Sequence, residues 1–196
     1  MKPRRIPKRL KQRPHWRGLP IPFIALIKPD GEPDFRVTDE ERRRYVIANR
    51  RCQLCGQPLG KWIFFTGGTE AAKANQYFEP GAHLDCLLYA MQTCPFIAGK
   101  LAHADLADIQ KEYDAPLARP GTTAEAGVKI TVQADETYTT VKNPYWVIKK
   151  ANGYGIVRSE GGTWLLVPCD VIKETRPLHA ESMTPADWAK VGEELL

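Results

Sequence analysis

The chain has 196 residues, 43% hydrophobic and 26% charged, with net charge +5: enough for one sizeable domain or two small ones. Its longest N-terminal apolar stretch, residues 21–27, contains Pro22, is too short to span a bilayer and leads into no cleavage-site pattern, so neither a membrane span nor a secretory signal is expected. The expected compartment is a reducing cytoplasm, where five cysteines point to metal or buried thiols rather than disulfides.

Charge is concentrated at the N-terminus. Residues 1–17 contain Lys2, Arg4, Arg5, Lys8, Arg9, Lys11, Arg13 and Arg17 with no acid, so the rest of the chain is slightly acidic. Pro3, Pro7, Pro14 and Pro20 interrupt any long helix, and residues 1–20 are expected to form a flexible basic arm. Residues 21–28 predict a short strand, and Pro29-Asp30-Gly31 a turn. Thr38 and Glu41 have capping-box spacing for a helix over 39–49, which carries the Arg42-Arg43-Arg44 run.

Cys52-Gln53-Leu54-Cys55-Gly56 then places two thiolates on a tight turn. A buried strand is expected at 62–65, broken by Gly67-Gly68, with Tyr77-Phe78 returning as a hairpin. His83-Leu84-Asp85-Cys86 opens a predicted helix that ends near Cys94-Pro95. Residues 105–113 have helical character, and the Pro- and Gly-containing stretch 114–128 is the expected linker. Beyond it, strands are expected at 129–132, 138–142, 145–149, 155–158 and 164–167, with Asn152-Gly153 as a hairpin turn. Thr184-Pro185-Ala186-Asp187 is an N-cap followed by a helix-starting proline, so a closing helix is expected to about Leu195.

The chemistry lies in the cysteines. Cys52-x2-Cys55 and His83-x2-Cys86 are two ligand pairs separated by 27 residues. Two such pairs close a tetrahedral shell around a structural zinc ion and leave no open coordination position. Knuckle, hairpin and ligands on a helix start follow the order of a treble-clef zinc finger. Cys94 competes with His83 for the fourth position, with His83 preferred because Cys94 lies a full helix away; Cys169 reads as a buried thiol. Zinc deaminases need His-x-Glu before the cysteine pair, which is missing. An HNH-type nuclease needs a histidine on the hairpin, and residues 56–82 contain none.

The expected fold class is therefore α+β: a basic arm (1–20), a treble-clef zinc-finger domain (21–113), a linker (114–128), and a β-rich region with a C-terminal helix (129–196). Arg4, Arg5, Lys8, Arg9, Lys11, Arg13 and Arg17, with His15 and Trp16 between them, suit phosphate contact and base stacking, and the Arg42–Arg44 and Arg50-Arg51 clusters extend that surface. A non-enzymatic zinc protein that binds nucleic acid is the first reading. The alternative is a module that inhibits or modulates a host or defence protein, using Tyr138, Tyr145, Trp146, Tyr154 and Trp164 as anchors.

In order along the chain, Gly18-Leu-Pro-Ile-Pro-Phe23, Pro33-Asp-Phe-Arg-Val37, Cys52-Gln-Leu-Cys-Gly-Gln-Pro-Leu-Gly60, His83-Leu-Asp-Cys86 and Cys94-Pro-Phe96 resemble a family of uncharacterised proteins from bacteriophages, prophages and bacteria. The resemblance covers about residues 15–100. It implies a zinc site and a phage or mobile-element setting, with the host cytoplasm as location, and it implies no activity. Relatives carry a Gly-Pro-Met segment after the first strand, where this chain has Thr66-Gly67-Gly68.

Overall fold

The computed structural model describes residues 5–94, 97 and 145–196. In chain order these form α1 (Lys8–Lys11), β1 (His15–Trp16), β2 (Leu19–Pro20), β3 (Ala25–Ile27), β4 (Pro33–Thr38), α2 (Glu40–Ala48), β5 (Ile63–Gly68), α3 (Thr69–Ala74) and α4 (Leu84–Thr93). After residue 144 come β6 (Trp146–Arg158), β7 (Trp164–Glu174), a 3-10 turn (Ala180–Ser182) and α5 (Pro185–Leu195). The architecture is mixed α and β, with small antiparallel sheets and a C-terminal helix. Among the described residues, no helix is long and apolar enough to cross a membrane. The expected linker and the segments at 105–113, 129–132 and 138–142 lie outside the described residues.

The largest sheet has the order β5-β6-β7. Residues 63–66 are buried throughout, so this strand needs cover on both faces and hydrogen-bond partners along its length. It finds them in β6, in register from Ile63↔Ala151 to Gly68↔Trp146. The expected boundary between zinc-finger and β-rich regions therefore does not separate two sheets, because strands from both stretches pair. Tyr77 does not return beside β5 either. It bridges Leu166 of β7, through N–H···O contacts of 2.9 and 2.8 Å, and the return to β5 comes later, at Ala82 opposite Phe64.

Asn152-Gly153 is not a turn. It lies inside β6, with Gly153 opposite Cys169, because Ala151 beside it is fully buried and paired with both Ile63 and Val171. Pairing on both sides outweighs the turn preference of the dipeptide. The chain reverses instead at residues 159–163, where Gly162 takes φ +80° and donates to the Ser159 carbonyl at 2.9 Å. Cys169, expected as a buried thiol, is exposed on β7.

α2 begins one residue later than its capping-box pattern suggests: β4 takes Thr38, and Asp39 becomes the N-cap, accepting from the Arg42 amide at 3.0 Å. The closing helix is as expected, with Thr184 and Asp187 forming a reciprocal capping box.

Among the described residues, two apolar cores result. The larger contains Leu10, Cys52, Cys55, Phe64, Leu84, Cys86, Leu87, Met91, Ile148, Trp188, Val191 and Leu195, so α4 and α5 pack on the inner ends of β5 and β6. The smaller, of Ile47, Ile63, Phe65, Tyr77, Ala151 and Leu166, is capped by α2. Here the middle of the arginine run departs from expectation. Arg43 is fully buried, where a surface role was expected. Its guanidinium donates to the carbonyls of Phe78 (2.7 Å) and Trp164, lies 4.1 Å above the Phe78 ring and is 3.4 Å from Glu40. Burial lowers its pKa, against the opposing charges of Glu40 and Glu79. One cation thus ties α2 to the 77–79 return and to β7.

The basic segment is also not a free arm. α1 places Leu10 at 3% exposure in the larger core, with Ile6 packed against it. A leucine offered to an apolar core stays there, and the short helix fixes the cations around it.

Three substitutions test these points. Arg43→Ala removes the guanidinium donor to the Phe78 and Trp164 carbonyls and opens a cavity, so urea denaturation is expected to show a loss of about 3 kcal/mol. Arg43→Lys, with a single donor centre, recovers only part of it. Leu10→Ala is expected to cost about 3 kcal/mol by the same measurement, whereas a free arm would give no change.

Candidate metal centre

The site begins with a turn. The Gly56 amide donates to the Cys52 carbonyl at 2.8 Å and the Cys52 amide to the Gln57 carbonyl at 2.9 Å, so residues 52–57 fold into a tight knuckle. Gly56 sits at φ +74°, and a Cβ there would fall 2.4 Å from the Phe23 ring; backbone conformation and packing both require glycine. Phe23 and Ile24 amides donate to the Leu54 and Gln53 carbonyls on one side. On the other, Gln53 is buried, and its side chain donates to the Pro80 carbonyl while its amide reaches Gly81 at 3.2 Å. The knuckle is thereby held against the segment that leads into α4.

His83 is the N-cap of α4, and Cys86 follows in its first turn. The imidazole makes no cap hydrogen bond to the helix. Its Nδ1 lies 3.4 Å from the Cys55 sulfur, and its Nε2 is 3.0 Å from the Pro58 carbonyl. The Pro58 contact orients the ring so that Nδ1 faces the sulfurs, as a carbonyl partner does behind a metal-bound histidine.

The ligand atoms of Cys52, Cys55, His83 and Cys86 all lie within 4.8 Å of one another, and the three cysteines are buried. A tetrahedral ion with metal–sulfur bonds of about 2.3 Å separates sulfurs by roughly 3.8 Å and sulfur from nitrogen by roughly 3.6 Å. The observed spacing fits that shell, so these four residues can hold a metal ion. Cys94 is the C-cap of α4, eight residues beyond Cys86, and it does not join the cluster.

Without an ion, protons must do the metal's work. Cys55 is held far below the usual thiol range by hydrogen bonds from Cys52 and Cys86, whereas Cys86 is pushed far above it by its hydrogen bonds to Cys52 and Cys55. At His83 burial opposes the charge, but hydrogen bonds and charge from Cys52 and Cys55 outweigh it and raise the imidazole to about 10.

Of the basic residues, Arg4 lies outside the described residues. Arg9 reaches from α1 to Asp85 in the first turn of α4, with an ion pair of 3.0 Å, and Gln12 accepts from Gln57 on the knuckle at 2.9 Å. Arg13 is partly buried, donates to the Ile21 carbonyl at 3.0 Å and faces the Phe23 ring at 5.2 Å. Arg5, Lys8, Lys11 and Arg17 are exposed and make no ion pair among the described residues. Asp85 is the residue that sequence reasoning passed over. Its signal was a lone acid in a helix first turn, a place where an acid is explained by the helix dipole alone. Trp146, Tyr154 and Trp164 pack against the two cores, and Tyr138 lies outside the described residues.

No family model, curated protein or solved structure matches this chain.

Because three thiolates and a neutral imidazole are needed to bind an ion, loading must displace protons from the cluster. Titration calorimetry in buffers of different ionisation enthalpy is expected to show net proton release on loading near pH 7.5. Affinity is expected to fall as pH falls, because protons then compete for the same sulfurs.

Proposed function

We propose that the chain is a non-enzymatic structural-zinc protein that binds nucleic acid through its basic N-terminal segment and the face beside the metal centre. The observation that carries this reading is the docking of α1: Arg9 pairs with Asp85 on the ligand-bearing helix, and Leu10 packs in the core that contains Cys52, Cys55 and Cys86. The cations that remain exposed are held in place on a rigid support, which lowers the entropy lost on binding phosphates.

Zinc is the ion that a buried three-sulfur, one-nitrogen set favours. Cys52, Cys55, His83 and Cys86 would fill its tetrahedral shell, and the chemistry supplied is crosslinking of the knuckle to α4. Knuckle, β5, the Ala82 return and α4 follow one another as in a treble clef, with the first hairpin reduced to a single bridge. A phage or mobile-element setting, as the sequence resemblance implies, is compatible with a small protein of this kind. The protein-docking alternative relied on aromatic anchors in the C-terminal half, and three of these pack inward.

Metal analysis of the purified protein is expected to give about one zinc per chain, and Cys52→Ala or removal of the ion by a chelator to unfold it. A protein that stays folded without metal would sink the structural-zinc reading. Nucleic-acid binding is tested by salt titration with random duplex and single-stranded DNA. Replacing Arg5, Lys8, Lys11 and Arg17 by glutamine should lower the log–log salt slope by about 3. Deleting the segment would be a poor test, since it would also remove Leu10 from the core.

A further inference from the structure

Beside the knuckle, two aromatic rings lie between two cations, in an order the sequence does not suggest. Arg13 faces Phe23 at 5.2 Å, Phe23 lies 6.0 Å from Tyr45 with the rings tilted by 31°, and Arg51 faces Tyr45 at 5.6 Å. The members come from four places in the chain: the segment after α1, the loop before β3, the outer face of α2, and the residue before Cys52. Tyr45 is 44% exposed, an unusual place for a large ring unless something covers it.

The charges here are oriented by neutral groups. Arg13 donates to the Ile21 carbonyl at 3.0 Å and Arg51 to the Gly56 carbonyl at 2.9 Å, and neither makes an ion pair among the described residues. Arg42, on the same helix as Tyr45, is the third cation; it pairs with Asp39 at 3.3 Å. Burial first, and the nearby Arg42 charge second, lower the pKa of Arg13, so like charges are crowded at this place. Glu41 stands one turn before Tyr45 on α2. Guanidinium groups fixed by carbonyls keep their full charge for an outside anion, and aromatic rings between them offer faces for flat partners.

We propose that single-stranded nucleic acid crosses the outer face of α2 and the metal-site knuckle, with its phosphates on Arg13, Arg42 and Arg51 and an unpaired base stacked on Tyr45. This rests on the nucleic-acid reading above and specifies its substrate class. Phosphates alone would need only the cations; the interleaved rings select a strand whose base faces are open, which a duplex hides in its stack.

The test is fluorescence anisotropy at low salt with labelled oligo-dT of about 20 nucleotides and a random duplex of equal length, on the full-length, metal-loaded protein. Tyr45→Ala is expected to weaken oligo-dT binding by about tenfold, as loss of one base–aromatic stack does, while duplex binding stays within about twofold. Tyr45→Phe keeps the ring and is expected to bind as wild type does. Circular dichroism checks that both variants fold, which the exposure of Tyr45 favours. If Tyr45→Ala leaves oligo-dT binding unchanged, or weakens both forms equally, the stacking platform is wrong. Loss on Tyr45→Phe equal to that on Tyr45→Ala would also overturn it, since a hydroxyl contact rather than stacking would be at work. In each of those cases, loss of binding on replacing Arg5, Lys8, Lys11 and Arg17 would leave the proposed function standing. If wild type binds neither form, both proposals fall, and an acidic protein becomes the partner to seek.

Discussion

Three cysteine sulfurs cannot share a volume a few ångströms across as thiolates unless a positive charge sits with them, and this constraint organises the N-terminal half of the molecule. Cys52 and Cys55 are brought in by a knuckle, Cys86 by a helix start, and His83 supplies the fourth donor. Without an ion the cluster compensates that charge unevenly, with the Cys55 thiol held below the usual range, the Cys86 thiol pushed above it and the His83 imidazole raised to about 10. A tetrahedral ion does it more symmetrically, and by joining knuckle to helix it would restrain about thirty residues of intervening chain. The Gln53, Gly81 and Pro58 contacts show the backbone already shaped around that need.

The second constraint is β5. A strand buried on both faces must be completed by another strand, and β6 comes from the far end of the chain to do so. Long-range pairing of this kind closes a large loop, at an entropic cost that grows only slowly with loop length. Burial of Arg43 belongs to the same assembly, because its guanidinium satisfies carbonyls of the 77–79 return and of β7 at once. With Arg43 turned inward, its neighbours Arg42 and Arg44 stay on the surface of α2, and Tyr45 is left facing solvent beside the knuckle. Core packing thereby decides which face of the helix can meet a ligand.

Between these two constraints lies the basic segment. Charge alone describes it as a tail, yet one leucine and one ion pair convert it into part of the surface around the candidate metal centre. The Arg9–Asp85 pair is exposed, so by itself it contributes little stability. Leu10 supplies the anchoring, and Arg9 sets the orientation. The same division recurs at Arg13 and Arg51, where carbonyls orient a charge without cancelling it.

The sequence by itself determined the features whose physics is local. Two pairs, each with its own spacing, mark the four side chains that the structure brings together, because a turn or a first helical turn fixes where each pair points. The closing helix is legible for the same reason: its capping box and helix-starting proline act within one turn. Only the tertiary structure decided the rest. Asn152-Gly153 carries a turn signal and lies in a strand, since pairing on both sides of Ala151 outweighs it. Arg43 looks like one charge among three until its helix is placed over Phe78 and Trp164. Leu10, a single apolar residue among cations, gives no periodic signal at all, and burial against residues far along the chain is what makes the basic segment part of the fold.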